Sequence, residues 1–120
     1  MTVVKDTGER ATMPPFTDEH HQLRETINRW VREEIVPHVD EWEAAGEFPL
    51  ELYRRAGELG FLGLKYPTEL GGQGGDYVHD AVWAEELAAA GASGGVGAGL
   101  GAHTGIATPP VFRFGTPEQH

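Results

Sequence analysis

The sequence has no cysteine, so thiolate nucleophiles, thiolate zinc sites and disulfides are excluded, and carboxylates and imidazoles are the groups left to inspect for chemistry. Asp76-x-x-His79 and Glu34-x-x-x-His38 each place two metal-ligand types on one face of a helix. Neither is joined by the paired Glu and Glu-x-x-His motifs of a di-iron bundle, so both read as solvated surface pairs and no metal site is expected. Glu85 and Glu86 are an acid/base pair by type alone. Adjacent helical residues point ~100° apart, so one is expected to face water while the other accepts hydrogen bonds inside the fold. Gly97, Gly99 and Ala102 match G-x-G-x-x-G/A literally, but that motif needs a preceding strand to aim the helix at a pyrophosphate, and an alanine-rich helical stretch precedes it here. No lysine follows a glycine pair at P-loop spacing, and no Ser/His/Asp arrangement stands out. His103 is the one titratable side chain in the charge-free stretch Leu87 to Phe112. It reads first as a satisfied core or interface histidine and second as a substrate contact. No catalytic residue is assigned.

These groups sit on a helical framework. Thr17 is an N-cap with Asp18 and Glu19 in the first turn, and Leu23, Ile27, Trp30, Val31 and Ile35 form one apolar stripe that Pro37 is expected to end. A short helical turn then carries Asp40 to Ala45, with Gly46 as its left-handed stop. Pro49 opens a third helix through Leu52, Tyr53, Ala56 and Leu59, closed by Gly60. The span 66–75, with Pro67 and Gly71-Gly72-Gln73-Gly74-Gly75, is a loop. Asp76 caps a helix to about Ala90, where Gly91 stops it, and Ser93 caps another to about Ala107. That last segment carries six glycines at ~1 kcal/mol each relative to alanine, so it needs tertiary packing to be helical. Gly97, Gly101 and Gly105 share one face, suited either to close backbone approach or to an open ligand wall. No period-2 alternation is convincing, and the fold class is all-α: an up-and-down-like helical bundle of about five helices.

Composition bounds the partners. With 19 acidic and 9 basic side chains and a net charge of −10, no nucleic-acid partner is expected. Leu87 to Phe112 is mostly glycine and alanine, ends near Pro109-Pro110 and is flanked by Glu85 and Glu86, so it does not read as a membrane span. No targeting signal is legible before Pro15, which suggests a cytoplasmic setting. Residues 1–15 read as a flexible tail and 16–115 as one domain. Thr116-Pro117-Glu118-Gln119 has the pattern of a helix opening, so 116–120 is expected to begin a further helix of a longer protein.

The run from Phe16 to Tyr77, with GLKYPTELGGQGGDY, followed by AVWAEELAAAGAS and PPVFRFGTPEQH, resembles the N-terminal helical domain of the acyl-CoA dehydrogenases. The resemblance implies an FAD flavoenzyme in which a carboxylate takes the α-proton of an acyl-CoA thioester while a hydride leaves the β-carbon for the flavin. It implies a middle β-domain and a C-terminal bundle after this segment. Those domains would supply the base and most flavin contacts, and the full-length enzyme would be a homo-oligomer. It places Ala98, Gly99, Ala102, His103 and Ile106 on the helix that walls the acyl-chain end of the pocket. Because that helix is rich in glycine, a bulky or long acyl group is expected. A flavin-dependent monooxygenase or an acyl-carrier dehydrogenase of the same superfamily, and a stand-alone helical module binding a partner through its apolar stripes, remain as alternatives.

Overall fold

The computed structural model describes residues 15–120, so all but the last residue of the expected tail lies outside the described residues. The described chain folds into α1 (Asp18–Trp30), α2 (Val39–Ala45), α3 (Glu51–Glu58), α4 (Tyr77–Ala90), α5 (Gly94–Ala102) and α6 (Thr108–Phe114), with no strand among the described residues. α1 passes into α2 through a π-helical turn, Val31–Ile35, and a 3-10 turn, Val36–His38. α5 passes into α6 through a second π-helical turn, His103–Ala107. The six helices therefore make four continuous rods, close to the about five expected for an all-α bundle.

The local stop signals act as the sequence predicts. Gly46, Gly60 and Gly91 adopt φ of 77°, 84° and 106°, the left-handed conformation that glycine reaches without a Cβ penalty. Asp76 caps α4 by accepting from Val78 N at 2.9 Å. The His79 ring, and then that backbone N–H, hold the Asp76 carboxyl below the usual aspartate range. Pro37 does not end the first helix. The π-helical turn before it already breaks the α-type hydrogen bonding, and Pro37 falls in the opening of a 3-10 turn, where a missing N–H leaves no bond unmade. The glycine-rich α5 is helical because tertiary contacts hold it. Val96 and Leu100 are fully buried one turn apart, and a carboxylate oxygen of Glu43, from α2, accepts Gly95 N at 2.6 Å. Ser93, the expected cap, makes no side-chain cap bond. The last helical segment also runs past Ala107 to Phe114, because Pro109 and Pro110 fall in the first turn of α6, where proline is tolerated. The expected helix opening at Thr116 is present only as a turn, in which Gln119 Oε1 accepts Thr116 N at 2.8 Å.

The core lies between the first rod and α4. Trp30 and Trp83 stack with ring centroids 6.0 Å apart, and Phe61 lies 5.3 Å from each. Ile27, Val31, Ile35, Val82 and Leu100 complete a fully buried centre. Glu86 is buried and accepts from Asn28 Nδ2 at 3.0 Å and Arg24 Nη1 at 3.3 Å, while Glu85 is exposed and reaches the same Arg24 nitrogen. The expected split between the adjacent carboxylates is thus present, and a single arginine bridges both.

Loop 66–75 closes on the segment before it. Gly63 O accepts Gln73 N at 2.9 Å, Leu64 O accepts Gly75 N at 2.8 Å, and Tyr66 O accepts Gly74 N at 2.8 Å. A Cβ on Gly72 would sit 2.2 Å from Tyr66 O, so the close approach is open only to glycine at that position.

α3 is tied to the first rod by one charged fork. Arg55 Nε reaches both oxygens of Glu34 at 3.1–3.2 Å, Arg55 Nη2 adds a contact at 3.1 Å, and Trp30 Nε1 donates to the same carboxylate at 2.9 Å. The Arg55 guanidinium, more than Trp30, holds the Glu34 carboxyl below the usual glutamate range. A depressed folded pKa contributes stability that is present above the unfolded value and lost as pH falls through the folded one. Comparing thermal midpoints of the wild type and Glu34→Gln between pH 7 and pH 3 should therefore show a deficit that is constant near neutrality and shrinks below about pH 4.3. A deficit that persists undiminished at pH 3 would show that the fork is not the cause.

Candidate functional site

The five sequence-predicted site residues fall on the outer side of α5 and the turn after it. Opposite them, Val96, Leu100 and Thr104 face the core. Ala98, Ala102 and Ile106 form an exposed row at i, i+4 and i+8, with Ile106 73% exposed. Gly99 and His103 lie half-buried in the next row. The structure thus brings all five onto one side of one rod.

The space that Gly99 vacates is already filled. A Cβ there would lie 2.8 Å from Phe48 Cζ and 2.9 Å from Tyr53 Oη. Phe48 and Tyr53 belong to a chain of neighbouring rings, His38, Trp42, Phe48, Tyr53 and His103, with successive centroids 5.2, 6.4, 5.4 and 5.9 Å apart. His103 is therefore a partner of Tyr53, and its Nδ1 is buried without a hydrogen-bond partner. The glycine face divides in the same way. Gly97 is packed, since a Cβ would lie 2.6 Å from Ala92 O, whereas Gly101 and Gly105 meet nothing within 4 Å. The last two line a groove of about 330 Å³ against Asp80, Ala84 and Ala88 of α4. The volume that the glycines leave is thus beside α4, not at Gly99.

Ile106 joins the α5 face to a larger cleft of about 760 Å³, walled by Tyr66, Tyr77, Pro109, Pro110, Phe112 and Phe114. Phe114 is 82% and Tyr77 75% exposed, so two aromatic rings stand open at the rim, beside the charged side chains of Asp76 and Arg113. Lys65 stands in this cleft with a largely buried side chain. Its Nζ donates to Asp80 Oδ2 at 2.5 Å and to Thr104 O at 2.9 Å, and lies over the Tyr66 and Tyr77 rings. Tyr66 Oη also meets Thr108 Oγ1 at 2.8 Å, pinning the loop to α6. Sequence reasoning placed none of Lys65, Tyr66 or Tyr77 at a site. The available signal was a single lysine inside the otherwise apolar run from Phe61 to Pro67. Among the described residues no helix is long and apolar enough to cross a membrane.

The family model for "Acyl-CoA dehydrogenase, N-terminal domain" matches residues 17–120, and the chain belongs to the acyl-CoA dehydrogenase family through that domain. It is 36% identical over 104 residues to a probable acyl-CoA dehydrogenase of Bacillus subtilis, a match covering 87% of this chain and 27% of that protein. It is 39% identical over 104 residues to the mitochondrial long-chain specific acyl-CoA dehydrogenase of Rattus norvegicus, covering 87% and 24%. The crystal structure of an acyl-CoA dehydrogenase from Geobacillus kaustophilus superposes with a TM-score of 0.79 at 33% identity, over 88% of this chain and 27% of that one. The chain thus spans about a quarter of the length of these relatives.

Proposed function

We propose that this chain works as a wall of the acyl pocket in an FAD-dependent acyl-CoA dehydrogenase, an oxidoreductase that introduces an α,β double bond into an acyl thioester. The observation that carries this reading is the exposed row Ala98, Ala102 and Ile106, which runs without a charged side chain to the aromatic and proline wall of the cleft. Such a surface suits an alkyl chain, because each methylene moved out of water contributes about 0.8 kcal/mol.

The cations along the cleft are Lys65, already engaged by Asp80 and Thr104 O, and Arg113. A bound flavin would accept the hydride from the β-carbon, and on this reading its contacts and the carboxylate base come from the remainder of the relatives' length, as does any homo-oligomer interface. What this chain supplies is exclusion of water and a shaped apolar surface, which dehydrogenation beside a reactive flavin requires.

Ala102→Phe tests the proposal in an enzyme that carries this domain. Its side chain starts on the exposed face, so the fold is expected to survive, with a thermal midpoint within a few degrees of wild type. Activity on long acyl thioesters is expected to fall about tenfold or more relative to short ones, since a misplaced acyl chain readily costs 1.4 kcal/mol or more of transition-state stabilisation. An unchanged chain-length profile would remove α5 from the pocket.

A further inference from the structure

We propose that the Lys65–Asp80 ion pair is a specificity-determining stop, which sets how far an acyl chain can run along this wall. The proposal rests on the acyl-pocket reading and adds a residue pair to it. Lys65 lines the large cleft, Asp80 and Thr104 line the glycine groove, and Gly105 alone lines both. Lys65 Nζ donates to Asp80 Oδ2 at 2.5 Å and to Thr104 O at 2.9 Å. The bonded pair therefore stands between the two spaces.

On either side of it the surface suits methylenes. The groove is walled by Ala84, Leu87 and Ala88 of α4 against the glycines, and the cleft carries proline and aromatic side chains. The pair itself is polar and held still. An ammonium has three N–H groups, and two are bonded here, while the Tyr66 and Tyr77 rings lie 5.4 and 5.2 Å from Nζ. The Lys65 side chain is 8% exposed and that of Asp80 18%. Contact with an alkyl chain would strip what hydration remains on the two charges and return no hydrogen bond for it. An acyl chain in either space thus ends at the pair.

Stability does not explain the pair. Well-packed apolar residues of similar volume commonly hold a fold as well as a buried ion pair does, or better. Lys65 is also the single charge in the run from Phe61 to Pro67, where an apolar residue would continue the pattern. Gly105 points the same way. A Cβ there meets nothing within 4 Å and its φ is not positive, so neither packing nor backbone conformation requires glycine. Its missing side chain leaves the two spaces continuous but for the pair.

The test uses the flavin-loaded enzyme that carries this domain, with straight-chain acyl-CoA thioesters of increasing length. Two apolar pairs, Lys65→Met/Asp80→Ala and Lys65→Leu/Asp80→Ala, remove both charges together, so neither stays buried without its partner. In these, kcat/KM for the longest thioesters relative to the shorter is expected to rise about tenfold, the effect of roughly two more methylenes leaving water. Lys65→Gln/Asp80→Asn still presents polar groups to a methylene and should keep the wild-type ratio. Adding Gly105→Leu to either apolar pair should cancel the gain by filling the passage. An unchanged ratio in the apolar pairs would overturn the stop, and so would the failure of both to fold, because the pair would then serve the fold. An equal rise in Lys65→Gln/Asp80→Asn would trace the effect to loosened packing and overturn it too. The Ala102→Phe enzyme separates this result from the pocket itself. If Ala102→Phe alters the chain-length profile and the apolar pairs do not, the stop falls and the pocket stands. If neither alters it, both fall.

Discussion

Gly72→Ala is expected to destabilise the chain by about 3 kcal/mol or more, a large part of the roughly 5–15 kcal/mol that holds a domain folded. The reason is contact with backbone. The added methyl would lie 2.2 Å from Tyr66 O, 2.5 Å from Tyr66 C and 2.7 Å from Tyr66 Cβ, and none of these is the free end of a flexible side chain. To make room, the loop must lift from residues 63–67, giving up the bonds from Gln73 N, Gly74 N and Gly75 N that clamp it. The same movement shifts Lys65 and Tyr66, which line the large cleft. Gly71→Ala is the matched control. Gly71 has φ 87° but nothing within 4 Å of an added Cβ, so it carries only left-handed strain, about 1 kcal/mol. Urea unfolding followed by far-UV circular dichroism separates the two variants. If they unfold at the same midpoint, close approach is not the reason for the second glycine of the motif.

That contrast also shows which parts of the molecule were legible in the sequence. Gly46, Gly60, Gly91 and the Asp76 cap could be read because each depends on its own dihedral angles or on an N–H two residues away. The apolar stripe from Ile27 to Ile35 could be read because its period is that of one helix. Pro37 was misread because the π-helical turn before it depends on how Val31 and Ile35 pack into the core, not on local preference. The candidate site divides along the same line. The outer face of α5 follows from spacing, so Ala98, Ala102 and Ile106 share it as expected. That Phe48 and Tyr53 cover Gly99 depends on where the loop before α3 crosses α5, and no periodicity carries that information. Lys65 escaped notice for the same reason: its partners, Asp80 and Thr104 O, come from α4 and the turn after α5.

The pair of adjacent carboxylates leads to the second large effect. Arg24→Met is expected to cost about 3–5 kcal/mol, because it removes the only charged partner of Glu86 among the described residues, and leaves that carboxylate, 8% exposed, with Asn28 Nδ2 as its one side-chain donor among them. The bond from Arg24 to Glu85 adds little to this, since the Glu85 side chain is 53% exposed and such pairs contribute ~0–1 kcal/mol. Glu85→Gln is accordingly expected to be nearly neutral. The wild-type arrangement is also incompletely satisfied, for Arg24 Nε is buried without a partner. An apolar pair of similar volume escapes both desolvation costs. The double variant Arg24→Met/Glu86→Met should therefore be more stable than Arg24→Met alone, with a coupling of about 2 kcal/mol or more between the two positions. Chemical unfolding of the four proteins measures it. Additive losses would mean that Arg24 stabilises the chain through its contact with the Phe16 ring, 4.5 Å away, rather than through Glu86.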